Sequence, residues 1–290
     1  MNEAPTTLAS RHFMARRSAW RRMLRDPMSA VGIGLLAVLL LIILLGPYIV
    51  PNDPLTVKMA ERLKPASLQY PLGTDHLGRC IFSRLVAGAR TTLGFTGLVV
   101  LTVALIGLPL GLWSGYVGGR VDALLMRLVD GMGALPEFIL AIALTGFLGP
   151  SLSNLMLSVV LVKWMGYARV VRSIVLSERE KEYVLAARVG GSGTWKVIGL
   201  HLLPHALSPV LVLAALDVGK IILTISSLSY LGLGAQPPAP EWGAMLNDGR
   251  AYFQTAPELM IYPGMAILLV VVACNLIGEG LRDLLDIGSK

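Results

Sequence analysis

Charge is what this sequence has least of. Charged side chains make up 15% of the 290 residues and hydrophobic ones 54%, against about 25% charged in an ordinary soluble domain. A water-soluble core of this length would leave too few polar side chains to cover its surface, so lipid must solvate much of the chain. Cysteine is nearly absent too. Cys80, in a polar loop, and Cys274, inside an apolar run, cannot build a disulfide framework or a Cys-rich metal site. Catalytic signatures are also missing: Gly219-Lys220 is followed by Ile221, which spoils a phosphate loop, and neither H-E-x-x-H nor G-x-S-x-G occurs. The chain is expected to be non-catalytic, with no cofactor of its own.

The placement of the few charges is informative. Arg11, Arg16, Arg17, Arg21, Arg22 and Arg25 all precede the first long apolar run, which marks that end as cytoplasmic under the positive-inside rule. No folded soluble domain follows the cluster, so nucleic acid is not the expected partner. The run itself is too long for a cleaved signal and ends in Gly46-Pro47-Tyr48 without a small-residue cleavage pattern, so a retained anchor is expected.

A hydrocarbon core of about 30 Å needs ~20 apolar helical residues. Residues 28–51, 91–119 and 259–278 carry no charge and read as spans. The uncharged interval 138–162 reads either as one helix or as parts of two meeting at Gly149-Pro150-Ser151. The next segment holds Lys163, Arg169, Arg172, Arg179, Lys181, Arg188 and Lys196 against Glu178, Glu180 and Glu182, which puts it on the side of the Arg-rich tail. An even number of crossings must separate two segments on one side. The expectation is an all-α integral membrane fold with six transmembrane helices and both termini cytoplasmic. Its parts are a tail at 1–27, spans at 28–51 and near 91–113, 123–148, 151–172, 204–226 and 259–279, and a C-terminus at 281–290. The five spans from residue 91 make a core over 91–280, with outside loops at 52–90 and 227–258 and a cytoplasmic loop at 177–203. Arg127 and Asp130 read as an i,i+3 pair near the inner end of span three. The first outside loop carries an excess of basic residues, so part of it reads as an interfacial helix leading into span two.

Within span two, Gly107, Gly111, Gly115 and Gly119 recur every four residues, which places them on one face where another helix can approach closely. Asp217 and Lys220 stand three apart inside span five, either lining a pathway or neutralising each other at a helix interface. His201 and His205 read as a metal pair or, preferably, as solvated or partner-facing histidines. In the cytoplasmic loop, Ser177-Glu178-Arg179-Glu180 has the form of a capping box that starts a short helix. Glu182 to Val189 continues it, Ala186 and Ala187 permit close approach, and Gly190-Gly191 ends it. A short exposed helix of this kind suits either a lug that fits a cleft in another protein or a plain connection.

Leu185-Ala186-Ala187, three residues, Gly191, nine residues, His201, one residue and Leu203-Pro204 together resemble the E-A-A motif of binding-protein-dependent ABC importer permeases, with Leu185 in place of the family Glu and His201 in place of the usual Ile. Gly73-Thr74-Asp75-His76-Leu77-Gly78-Arg79 with Phe82-Ser83-Arg84 resembles a motif ahead of span two in the C-type permeases of dipeptide, oligopeptide and nickel importers, Cys80 replacing the usual Asp. Pro240-Glu241-Trp242-Gly243 resembles their loop before span six. The resemblance covers about residues 20 to 287. It implies a pore subunit of the bacterial inner membrane that works with a second, B-type permease, two cytoplasmic ATPases using ATP and Mg, and an extracytoplasmic solute-binding protein. By the same resemblance Glu182, Leu185, Ala186, Ala187, Gly190, Gly191, Leu203 and Pro204 couple the pore to the ATPases. Trp164 to Arg169, Leu216 to Gly219, and Trp242-Gly243 with Asn247-Asp248 look closer to nickel permeases than to dipeptide ones, so nickel, free or chelated, is the expected cargo and peptides the alternative. The sequence names no metal ligands. A self-sufficient channel or secondary transporter would call for charge-lined helices and internal repeats, and these are not evident.

Overall fold

The computed structural model describes residues 26–286; the six arginines of the tail lie outside them. Every named element among the described residues is helical, apart from an isolated antiparallel bridge between Thr74 and Cys80. Helix α1 (Pro27–Ile49) starts where Asp26 accepts a hydrogen bond from the Ser29 N–H at 2.8 Å and Pro27 opens the first turn. Helix α2 (Ile81–Val117) stops at Gly118, whose φ of +66° suits glycine. Helices α3 (Gly119–Gly133) and α4 (Glu137–Leu148) follow. Then come α5 (Leu152–Glu178), capped by the Ser151 hydroxyl, and the short α6 (Glu182–Val189). Helix α7 (Thr194–Val197) passes through a π turn at Ile198–Leu202 into α8 (Leu203–Tyr230). The π turn lies just before Pro204, which has no N–H to give. Helix α9 (Trp242–Arg250) and α10 (Glu258–Asp286) complete the described chain.

Among the described residues four helical stretches, Pro27–Gly46, Ile81–Val117, Thr194–Tyr230 and Glu258–Leu284, are long and apolar enough to cross a membrane, and α3 with α4 makes a fifth if the bent pair is one span. The interval expected near 123–148 as one span is two helices, α3 and α4, that meet at 88°. Pro136 is the physical cause, because it lacks an N–H and disfavours helical geometry at Leu135. Arg127 and Asp130 do not pair; the Asp130 carboxylate takes Arg169 at 2.9 Å instead. Of the basic residues before residue 91, Arg84 and Arg90 belong to the opening turns of α2, which begins at Ile81, and Lys58, Arg62, Lys64 and Arg79 precede it. Ser177 and Glu178 fall inside α5 and start no helix, since Glu178 is engaged by Lys181 at 2.7 Å and by the Tyr183 hydroxyl at 2.6 Å.

Helix α5 is not apolar enough to rank with the four, yet its 27 residues make a rod of about 40 Å at 1.5 Å per residue. It is the most enclosed of the long helices. Leu155, Val159, Tyr167, Ala168, Val171 and Val175 are at most 1% exposed. Three glycines of α2 allow this. A Cβ at Gly107 would meet Tyr167 Cβ at 2.5 Å, one at Gly111 would meet the Ala168 carbonyl and Val171 Cβ at 2.6 Å, and one at Gly115 would meet Val175 Cβ at 2.8 Å. Gly119, the fourth of the sequence stripe, lies beyond the end of α2 at φ +59° with nothing beside it. Helix α1 sits at the edge against α10, where Gly32 faces Ala273 and Leu276.

Gly111→Leu must push α2 and α5 apart, and purified chain in detergent should lose about 1–3 kcal/mol of stability, the usual cost of overpacking. Gly97→Ala on the same helix meets nothing within 4 Å and should leave the thermal unfolding midpoint unchanged or slightly raised.

Candidate functional site

The loop between α5 and α8 is fixed to the helices around it mainly by rings. Trp195 on α7 stacks on Trp113 of α2 with centroids 5.0 Å apart, and the Arg188 guanidinium lies 5.7 Å over the Tyr116 ring. Tyr183 of α6 lies 6.1 Å from His201 and 5.7 Å from His205, so the two histidines flank a tyrosine. Burial, together with the hydrogen bond to Glu178, pushes the Tyr183 hydroxyl up to about 12. Val184 is fully buried and holds α6 down, while Glu182, Leu185 and Ala186 face outward and Ala187 is half-buried. Gly190 closes the helix. Gly191 has a φ of +80°, and the Ser192 N–H returns to the Ala187 carbonyl at 3.0 Å. Leu203 and Pro204 open α8, with Pro204 exposed. The result is an outward-facing short helix on a rigid mount, continuous through the π turn with a long apolar helix.

Deeper in the molecule, the basic residues of α5 pair with acids on the broken hairpin α3–α4. Lys163 Nζ lies 2.6 Å from Glu137, Arg169 lies 2.9 Å from Asp130, and Arg172 grips both oxygens of Asp122 at 2.5 Å. Arg179 adds a 2.9 Å hydrogen bond to the Gly115 carbonyl, near the last turn of α2. The ladder compensates three cations that would each be costly in hydrocarbon. Its solvent side is open: the Glu137 and Asp130 side chains are 61% and 71% exposed. Asp217 and Lys220 of α8 are 3.4 Å apart, Asp217 turned inward towards Tyr167 of α5 and Lys220 outward. Lys163, Glu137 and Thr224, the last one turn above Lys220, line a common cleft of about 110 Å³. Of the α8 residues only Thr224 reaches this cleft, so the Asp217–Lys220 pair and the Lys163–Glu137 pair are separate. Among the described residues no group of three or more His, Cys, Asp or Glu side chains is placed to hold a metal ion.

The third region joins the two loops at the other end of the helices. Asp75 accepts the N–H groups of Leu77 and Arg79 at 2.9 Å and the Arg79 Nε at 2.6 Å. Asp248 of α9 lies 3.2 Å from Arg79 and 3.5 Å from Arg84, and Arg84 is also 3.6 Å from Asp75. These four side chains form a buried two-by-two charge cluster. Asp248 was not singled out as a site by the sequence motifs. Thr74 donates to the Glu61 carbonyl and accepts the Lys64 N–H at 2.8 Å. Gly73 and Gly78, at φ +80° and +73°, make the turns. Glu241 caps α9 by accepting the N–H groups of Gly243 and Ala244 at 2.9 Å, and the Thr92 hydroxyl donates to it at 3.3 Å. Trp242 donates its ring N–H to the Leu85 carbonyl at 2.9 Å, and Gly243 lies against the backbone of Ser226. Burial raises the Glu241 carboxyl above the usual range, opposed by the two capping N–H groups. Cys80 is the residue before α2 and offers no side-chain cap. His76 stacks on Tyr252 at 5.3 Å, and burial pushes its pKa down.

Long apolar helices define a multi-pass membrane protein. The chain belongs to the family of binding-protein-dependent transport system inner membrane components, whose model matches residues 107–288, and the N-terminal TM domain of oligopeptide transport permease C matches residues 15–66. It is 43% identical over 252 residues to the nickel transport system permease protein NikC of Escherichia coli K12, covering 87% of this chain and 91% of that one. It is 41% identical over 271 residues to the dipeptide transport system permease protein DppC of Alkalihalophilus pseudofirmus, covering 93% and 89% of the two chains. Identity is also 41%, over 262 residues, to the probable D,D-dipeptide transport system permease protein DdpC of Escherichia coli K12, covering 90% and 88%. The chain is accordingly a C-type permease subunit of the peptide and nickel ABC importers.

Asp248→Ala leaves two buried arginines on one carboxylate and should cost about 3 kcal/mol, the low end for breaking a buried pair because Asp248 is part exposed. Chemical denaturation in detergent reads the loss. The depressed His76 pKa contributes stability that is present above the unfolded value of about 6.5 and lost as pH falls through the lower folded value. His76→Phe keeps the ring and should flatten this acid limb of the thermal stability profile.

Proposed function

We propose that the chain is one half of a heterodimeric translocation pore, with six spans and both termini cytoplasmic, for nickel or a nickel chelate. In this reading α5 is a full span whose polarity is tolerated because α2, the α3–α4 hairpin and α8 enclose it. The 88° bend makes α3 and α4 one broken span. The partners are a B-type permease, two ATPases that bind ATP and Mg, and an extracytoplasmic binding protein. The chain itself carries no catalytic group and binds no cofactor.

The observation that supports this most is the outward face of α6, Glu182, Leu185 and Ala186, mounted beside Gly191 on the rod that becomes α8. ATP binding draws the ATPases together, α6 follows them, and α5 and α8 rock as rigid bodies to open the pore towards the loaded binding protein. The ATPases supply the differential contacts that make one state favourable, and hydrolysis resets it. The Asp217–Lys220 pair, with Lys220 exposed, and the Lys163–Glu137 pair, with Glu137 exposed, are the parts of the chain suited to line the path, since exposed charges on spanning helices need water or a partner rather than lipid. Nickel as cargo rests on the likeness to NikC and on the stretches around Trp164 to Arg169, Leu216 to Gly219 and Trp242 to Asp248. Dipeptides or oligopeptides are the alternative, supported by the likeness to DppC and DdpC.

ATP-dependent uptake of radiolabelled nickel, a nickel chelate and dipeptides into proteoliposomes holding the assembled complex, preceded by binding of each to the cognate binding protein, decides the cargo. Uptake of nickel or its chelate is expected. Tight peptide binding with no metal response moves the assignment to peptides, and solute movement without the ATPases overturns the importer reading. Gly191→Leu places a side chain at φ +80° and strains the end of α6 by about 1 kcal/mol or more. Membrane insertion should persist while ATP-driven uptake is lost; full uptake contradicts the coupling role.

A further inference from the structure

A groove opens between the end of α1 remote from Pro27 and the first turns of α2. It has a volume of about 460 Å³, with Ile43, Val86 and Ala87 as its apolar floor and Asp53, Arg90 and Thr91 among its polar rim. This is within the range of small-molecule pockets, roughly 300–1,000 Å³. Val86 packs on Gly46 where the two helices cross, so the groove is a fixed feature of the helix pair.

Its depth follows from the sequence. Arg90 is the last charged residue before the uncharged stretch 91–119 of α2, and Asp53 lies just past the uncharged α1. Both therefore stand at the boundary between hydrocarbon and headgroups, and the neighbouring Tyr48 is 88% exposed, as suits a tyrosine at that level. The two charges line one cavity without meeting. Arg90 makes no hydrogen bond or ion pair among the described residues, and Asp53 has only local partners: the Thr56 hydroxyl donates to it at 2.6 Å and the Leu55 N–H at 3.0 Å. These donors also hold the Asp53 carboxyl below its ordinary pKa, so it stays ionised. An arginine at headgroup depth with no counter-ion, a carboxylate across an apolar cleft, and lipid as the surrounding solvent specify the missing occupant by charge.

We infer that this groove is a binding site for a zwitterionic phospholipid with a primary amine headgroup. Its phosphate sits on the Arg90 guanidinium, its ammonium on the Asp53 carboxylate, and an acyl chain lies over Ile43, Val86 and Ala87. A guanidinium donates two N–H bonds to a phosphate in one plane. An ammonium gives Asp53 the N–H donors that a quaternary headgroup lacks, while an anionic headgroup without a cation leaves Asp53 unmatched. This assignment is independent of the cargo and of the ATPase coupling.

The test is native mass spectrometry of the full-length chain in detergent, titrated separately with phosphatidylethanolamine, phosphatidylcholine and phosphatidylglycerol. One phosphatidylethanolamine should be retained about tenfold more strongly than either of the others, the scale of one charge-assisted hydrogen bond. Arg90→Gln should abolish that retention. Asp53→Asn should equalise phosphatidylethanolamine and phosphatidylcholine. Ala87→Trp should displace the lipid while both charges remain. The three positions are exposed or half-buried, so the variants should elute from gel filtration as the wild type does. Equal retention by wild type and Arg90→Gln, a preference for phosphatidylglycerol, or loss of the lipid when the second permease is co-purified, which would make the groove a protein interface, each overturns the assignment.

Discussion

The close contact of Gly107, Gly111 and Gly115 on α2 with Tyr167, Ala168, Val171 and Val175 on α5 determines how the rest of the molecule can be arranged. Lipid tails are as apolar as the side chains they contact, so helices in a bilayer associate through close packing and polar pairing rather than through a hydrophobic drive. The three glycines provide the close packing. The polar pairing runs along α5, where Lys163, Arg169 and Arg172 meet Glu137, Asp130 and Asp122 of the hairpin α3–α4. Pairing each cation with an acid lowers the cost of carrying three of them on one helix. The bend at Pro136 follows from the same need, since it turns α3 and α4 so that acids from both can reach one helix.

Regions at both ends of the molecule are tied to this centre. At one end Arg179 reaches back to Gly115, Trp195 stacks on Trp113, and Arg188 covers Tyr116, so α6 and α7 are referenced to α2. At the opposite end Trp242, Glu241 and the Asp75–Arg79–Arg84–Asp248 cluster clamp α9 to the first turns of that same helix. Helix α2 is the common frame: α6 and α7 contact it near one end and the loop cluster near the other. Helix α1 lies at the edge of that frame, and the groove opens where it crosses the first turns of α2.

Much of this arrangement was legible in the sequence where the interaction is local. The four-residue spacing of glycines announced the α2–α5 contact, and only Gly119 misled, because a positive-φ residue past a helix end has the same spacing as one within it. Charge parity points to a helix at 151–172, and α5 covers Leu152–Glu178; the acids that pair with its cations lie on neighbouring helices. Motif residues such as Asp75, Arg79, Glu241 and Trp242 stood out, but their purpose of joining two loops did not: Arg79 and Asp248 are 169 residues apart. The Lys163–Glu137 and Arg172–Asp122 pairs span 26 and 50 residues, and no spacing rule reaches so far. Ser177 looked like a cap because its four-residue pattern is right; Glu178 is instead committed to Lys181 and Tyr183, and α5 runs on through both positions. The break before Pro136 falls inside an interval that reads as one helix, 123–148, by hydropathy and charge parity, although a proline interrupts it.

The account depends most on α5 being a membrane-crossing helix despite its charges. Single cysteines at Ser153 and Ser177, both exposed and near opposite ends of α5, can be placed in a chain whose Cys80 and Cys274 are replaced by alanine, then challenged with a membrane-impermeant maleimide in cells expressing the assembled complex. Labelling of Ser153→Cys in intact cells, and of Ser177→Cys only after permeabilisation, is the expected result. Reaction of both positions from one side would show that α5 does not cross, and would remove the basis for the enclosed ladder, the six-span topology and the coupling path together.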